Sequence, residues 1–180
     1  DGMSGEAHLR ALAGYPPAII DQVRQAIAAD RMGAWLRGKY PRLHDIRTDK
    51  ALFNYVDALR ARYLRNAPPL ARVCYDGKLQ QVQQALGTHA RIARVQGGRL
   101  STRREIRIAS LFRSAPEPFL EMIVVHELAH LKEADHDKAF YQLCNHMLAD
   151  YHQLEFEVRA WLCHQAAGGA PVWDAAVTAA

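Results

Sequence analysis

The chain has 180 residues, 49% of them apolar, and carries a formal net charge of +4 with a pI near 9.1. That size supports one hydrophobic core; no apolar run is long enough to cross a bilayer, and the first thirty residues lack the charged-then-apolar order of a signal peptide, so a cytoplasmic protein is expected. Cys74, Cys144 and Cys163 are odd in number and show no C-x-x-C spacing, which argues against both a disulfide framework and a thiolate zinc site.

Two amphipathic segments open the chain. Ile20, Val23, Ile27, Trp35 and Leu36 predict a helix over 17–37, and Leu52, Tyr55, Val56, Leu59 and Tyr63 predict another over 49–65, with Pro16-Pro17, Pro41 and Pro68-Pro69 as punctuation. A short strand over 71–75 closes at Asp76-Gly77, and a helix is expected over 78–86. Gly97-Gly98 reads as a turn between two strands, the second being 105–112, where Ile106 and Ile108 alternate with Arg107 and Ala109. Ser114-Ala115-Pro116-Glu117 has the form of a capping box, and Pro118 also belongs in a first turn. Phe119, Met122, Ile123, Val124 and Val125 then predict a buried helix.

That helix carries His126-Glu127-Leu128-Ala129-His130, with His136 following after five intervening residues. Positions i and i+4 share a helix face, so His126 and His130 can direct ring nitrogens at one ion while Glu127 stands beside it as a general base. Three protein ligands plus water mark a catalytic zinc, whereas structural sites fill all four positions with protein groups. His136 is the expected third ligand. The link from His130 to His136 has no Gly, and Asp135 is the residue in it that best tolerates a left-handed conformation. Asp137 can cap a following helix with Phe140, Leu143, Cys144, Met147 and Leu148 on one stripe. Met147 is expected to pack there. Tyr151, Leu154, Val158, Trp161 and Leu162 form a third helical stripe. Glu155 or Glu157 on it could hydrogen-bond a ligand histidine, since metal-bound imidazoles need such a partner. Together these elements predict an α+β domain over 1–167: N-terminal helices, a small, mostly antiparallel central sheet, then the metal helix and its supporting C-terminal helices. The Ala- and Gly-rich tail 168–180 is expected to be loosely held.

The stretches ALGTHARIARVQGGRL, REIRIASLF, VVHELAHLKEADHDKAFYQLC and YHQLEFEVRAWL resemble the YgjP-like branch of the zincin-type metallopeptidases, which is similar to the SprT and WLM protease groups. The resemblance implies a gluzincin- or SprT-like minidomain with His126, His130 and His136 as ligands of one zinc ion and Glu127 as the base. Metzincins share the HExxH-x5-H spacing but carry Gly three residues after the second His, where this chain has Glu133.

Zinc lowers the pKa of a bound water to about 7, which makes hydrolysis at neutral pH accessible. The expected reaction is peptide-bond hydrolysis, with a peptide or protein as partner lying along the 105–112 strand and Tyr141, His146, His152 or Arg107 as candidate oxyanion stabilisers. Charge supports other readings. Six Arg and one acid lie between Arg91 and Arg107, which fits an anionic partner, either nucleic acid, as for a DNA-associated protease, or a nucleoside triphosphate whose phosphoanhydride is the bond cut; it equally fits a solvated Arg-rich strand pair. A metal-binding module without turnover is the remaining class, and it has no use for Glu127.

Overall fold

The computed structural model describes residues 6–79, 95–96, 99–100 and 104–174. It is an α+β structure whose described residues divide into two compact units, one built from 1–43 and 152–180, the other from 44–151. Among the described residues no helix is long and apolar enough to cross a membrane.

In the first unit a 3-10 turn, Ala7–Leu12, precedes α1 (Pro17–Ala28) and α2 (Met32–Lys39). The predicted 17–37 helix is thus two helices. Asp30 breaks it by taking φ of 55°, a left-handed turn that a short polar side chain tolerates. Most of α6 (Tyr151–Ala166) also belongs here, burying Val158, Trp161 and Leu162. Arg159 Nη1 donates to the Ala11 carbonyl at 2.8 Å, and the Tyr40 hydroxyl donates to Glu157 Oε1 at 2.7 Å. Part of the tail expected to be loose is anchored: Val172 and Trp173 are buried, and the Trp173 indole donates to the Tyr40 carbonyl at 2.6 Å. A bulky aromatic with a satisfied N–H holds a chain end that an Ala/Gly composition alone would leave free.

The second unit carries α3 (Asp49–Tyr63), β1 (Arg72–Asp76), the short pair β2 (Val95–Gln96) and β3 (Arg99–Leu100), β4 (Glu105–Ala109), α4 (Glu117–Ala129) and α5 (Lys138–Met147). Thr48 caps α3, its hydroxyl accepting from Ala51 N at 3.0 Å. β1 and β4 run parallel with Arg72 opposite Glu105 and Cys74 opposite Arg107, which corrects the mostly antiparallel expectation for the central strands. Twenty-eight residues, 77–104, separate the two strands, far more than a tight hairpin needs, and a connection of that length can return the chain to the same end. β2 and β3 do pair antiparallel, on either side of residues 97–98. The predicted Gly97-Gly98 turn itself and most of the predicted 78–86 helix lie outside the described residues.

β4 stops at Ala109, three residues earlier than predicted, because Ser110–Ser114 winds into a 3-10 turn. Ile106 and Ile108 are wholly buried beneath it. The buried His44 ties this turn down: its Nε2–H donates to the Phe112 carbonyl at 2.7 Å, while its Nδ1 accepts from Ile46 N at 3.0 Å. The acceptance at Nδ1 requires the neutral ring, and burial lowers the His44 pKa below its ordinary value.

Ser114 does not form the capping box. Pro116 is the N-cap of α4, extended at ψ 153°, and no side chain caps the helix. The prolines do the equivalent work, since Pro116 sets the entry and Pro118, inside the first turn, has no N–H to leave unsatisfied. α4 is buried along nearly its whole length, from Phe119 through Ala129 save Glu121, as a helix with apolar residues on every face must be. The central helix is therefore a rigid platform for the residues at its C-terminal end.

Candidate metal-dependent active site

The last turn of α4 places His126 and His130 on one face, and both are where the i, i+4 spacing puts them. The chain then leaves the helix without a left-handed residue. Leu131 N donates to Leu128 O at 3.0 Å and Lys132 N to Ala129 O at 3.1 Å, so the helix tightens into right-handed turns. Asp135 does not take the positive φ expected of it; among the described non-glycine residues that conformation belongs to Asp30. His136 is brought back over the helix end, and Asp137 then caps α5, its Oδ1 accepting from Phe140 N at 2.9 Å as predicted.

These turns gather three imidazoles. The Nε2 atoms of His126, His130 and His136 stand 3.3, 3.0 and 3.4 Å apart around a triangle. Three nitrogens bound about 2.0–2.1 Å from a tetrahedral ion would lie roughly 3.3–3.4 Å from one another, so the triangle has the size of a zinc face. Its hydrogen bonding points the same way. A ring of three cannot alternate donor with acceptor, so at least one pair of nitrogens presents like to like, and a cation among them makes three facing lone pairs favourable. The residues present fit a divalent metal ion.

The outer nitrogens set which tautomer would face an ion. Nδ1–H of His130 donates to the Glu133 carbonyl at 2.9 Å, which leaves the lone pair on Nε2 of the neutral ring. Nδ1 of His126 meets the Tyr151 hydroxyl at 2.8 Å. Phe140, wholly buried, floors the group: its ring centroid is 5.1, 4.5 and 4.9 Å from those of His126, His130 and His136. Burial grades across the site. His126 and Glu127 are 3% and 2% exposed, His130 is intermediate and His136 is exposed, so the cleft opens on the His136 side.

Other expected participants are engaged elsewhere. Glu157 pairs with Tyr40 and, at 2.7 Å, with Lys39 Nζ, while Glu155 Oε1 lies 3.2 Å from Arg159 Nε; both acids serve the first unit. Arg107 forms ion pairs with Asp76 at 3.0 Å and Glu105 at 2.8 Å on the β1–β4 pair. His146 sits edge-on to Tyr63, centroids 5.7 Å apart. Tyr141 is in the neighbourhood of the triad, with ring centroids 5.2 Å from Phe140 and 6.3 Å from Tyr151. Met147 is buried on α5 as a packing residue. Of the basic run from Arg91 to Arg107, only the side chains of Arg104 and Arg107 lie within the described residues. Two residues at the triad were not anticipated in these roles: Phe140 and Tyr151 both read in sequence as core positions, and only the general need of a metal-bound imidazole for a partner on its other nitrogen signals the second.

A buried carboxylate adjacent in sequence to a histidine triad graded from buried to exposed fits a metal-dependent hydrolase. Comparison with known proteins agrees. The model of the YgjP-like family, described as a YgjP-like metallopeptidase domain, matches residues 71–162, and the chain belongs to that family. It is 54% identical over 162 residues, 90% of its own length and 97% of the relative's, to the UTP pyrophosphatase of Escherichia coli (strain K12). No solved structure matches. The relative overturns the expectation of peptide-bond hydrolysis, and with it the DNA-associated protease. The physical reason is that HExxH-x5-H specifies an ion and a base; it does not specify whether carbon or phosphorus is attacked.

Proposed function

We propose that this protein hydrolyses nucleoside triphosphates, UTP foremost, to the monophosphate and pyrophosphate at a single zinc ion held by His126, His130 and His136. The observation that carries this reading is the 54% identity to a UTP pyrophosphatase across nearly the whole of both chains. The triangle of Nε2 atoms supports the metal, and three neutral nitrogen ligands of this geometry suit zinc.

When bound, the ion acidifies water toward neutral pH and draws charge from phosphoryl oxygens. The remaining work falls to the chain. Glu127 takes the proton from the attacking water as its oxygen bonds to the α-phosphorus; the bridging P–O bond breaks and its electron pair leaves with pyrophosphate. Burial of Glu127 and His126 excludes competing solvent at that end, while the exposed His136 side admits the nucleotide. A positioned general base contributes about 10²–10⁴-fold. The nucleotide is also the anionic partner we assign to the Arg91–Arg107 run, with Arg107 itself already neutralised by Asp76 and Glu105. Raising salt should then raise KM more than it lowers kcat.

The test is incubation of the zinc-loaded protein with UTP and separation of products. UMP and pyrophosphate in equal amounts, lost on chelation, are the expected result. UTP left intact by metal-loaded protein, or release of inorganic phosphate alone, would overturn the proposal.

A further inference from the structure

We propose that Tyr151 is a positioning residue of the metal centre, acting through His126; the proposal rests on the reading of the three histidines as ligands. Tyr151 is wholly buried and opens α6, its N–H donating to the Leu148 carbonyl at 3.0 Å. Its hydroxyl oxygen lies 2.8 Å from His126 Nδ1, and the two ring planes are nearly parallel, 19° apart. With Nε2 directed at the triad, the proton of the neutral ring is on Nδ1, so His126 donates and the tyrosine oxygen accepts.

His126 and His130 have outer partners of different kinds. His130 is held by a main-chain carbonyl, that of Glu133, which no substitution removes. His126 is held by a side chain that can be edited atom by atom. Because His126 is 3% exposed, solvent is poorly placed to replace a deleted acceptor, and the ring is left with a buried, unsatisfied Nδ1–H or with its proton moved to the nitrogen the ion needs. Tyr151→Phe removes the oxygen and keeps the ring that fills the core.

Two readouts on the full-length protein test this. The first is zinc affinity by competition with a chromophoric chelator, where loss of an outer-sphere partner weakens binding about 10–100-fold. The second is the tautomer of His126 in the metal-free protein, read from ¹⁵N NMR of the ring: Nδ1–H in the wild type, shifted toward Nε2–H in Tyr151→Phe. A purely packing role for Tyr151 would leave that signature unchanged. Wild-type affinity together with the wild-type tautomer in Tyr151→Phe would overturn the proposal alone. Failure of the wild type to bind zinc would overturn the ligand assignment on which it stands.

Discussion

Asp137→Ala probes whether the α5 N-terminus holds the metal site together. Asp137 follows the exposed candidate ligand His136 and satisfies the N–H of Phe140 at 2.9 Å, and the Phe140 ring touches all three imidazoles. Removing an N-cap side chain costs about 0.5–2 kcal/mol, to which lost interaction of the carboxylate with the helix N-terminus contributes. If the cap is needed to order the turn that carries His136, that cost appears in metal binding as a loss of about 2- to 30-fold, at 1.36 kcal/mol per decade. Urea unfolding of the metal-free protein reads the stability, and zinc competition reads the affinity. Asp137→Ser, which restores an N-cap oxygen, should recover much of both. An Asp137→Ala protein with unchanged urea midpoint and unchanged zinc affinity would refute the reasoning that the cap organises the site.

Glu127→Gln should lower kcat for UTP by about 10²–10⁴-fold while zinc affinity stays within a few-fold; loss of zinc together with activity would make Glu127 a ligand and not the base. His44 has a folded-state pKa below its ordinary 6.5 because burial disfavours the charged ring. Its contribution to stability is therefore complete above pH 6.5 and is lost as pH falls below 6.5 toward the folded-state value, since the unfolded chain takes up the proton first. Urea midpoints at pH 7.5 and 5.5 should differ more in the wild type than in His44→Gln, which has no proton to take up; equal differences would dismiss the effect. Tyr40→Phe removes a donor from the buried Glu157 carboxylate and should destabilise by about 1.5–3 kcal/mol in urea unfolding, with a smaller value meaning that Lys39 alone satisfies the acid.

The grouping of the histidines was legible because a helix imposes its period: the i, i+4 pair needs no tertiary information, and a third histidine after only five intervening residues stays within reach of the helix end it left. Asp137 was legible for a similar reason, as a cap is a local contact. Tyr151 was not, because its hydroxyl reaches a residue 25 positions earlier while its ring sits on an apolar stripe like any core aromatic. Nor was the direction of β4, which depends on how 77–104 returns the chain and not on the alternation of Ile106 and Ile108. The break at Asp30 escaped notice because the apolar stripe reads across it while one left-handed residue turns the chain. The reaction was least legible of all: zinc ligands and a base serve acyl and phosphoryl transfer alike, and the choice between them came from a relative.

The central claim is that one ion at the triad is required for nucleotide hydrolysis, and a titration of zinc into metal-free protein with continuous assay of UTP turnover tests it most directly. Turnover should rise in proportion to added zinc, break at one equivalent per chain, and be absent throughout in the His126→Ala protein. UTP turnover that persists without metal, or none at one bound zinc per chain, would contradict the account.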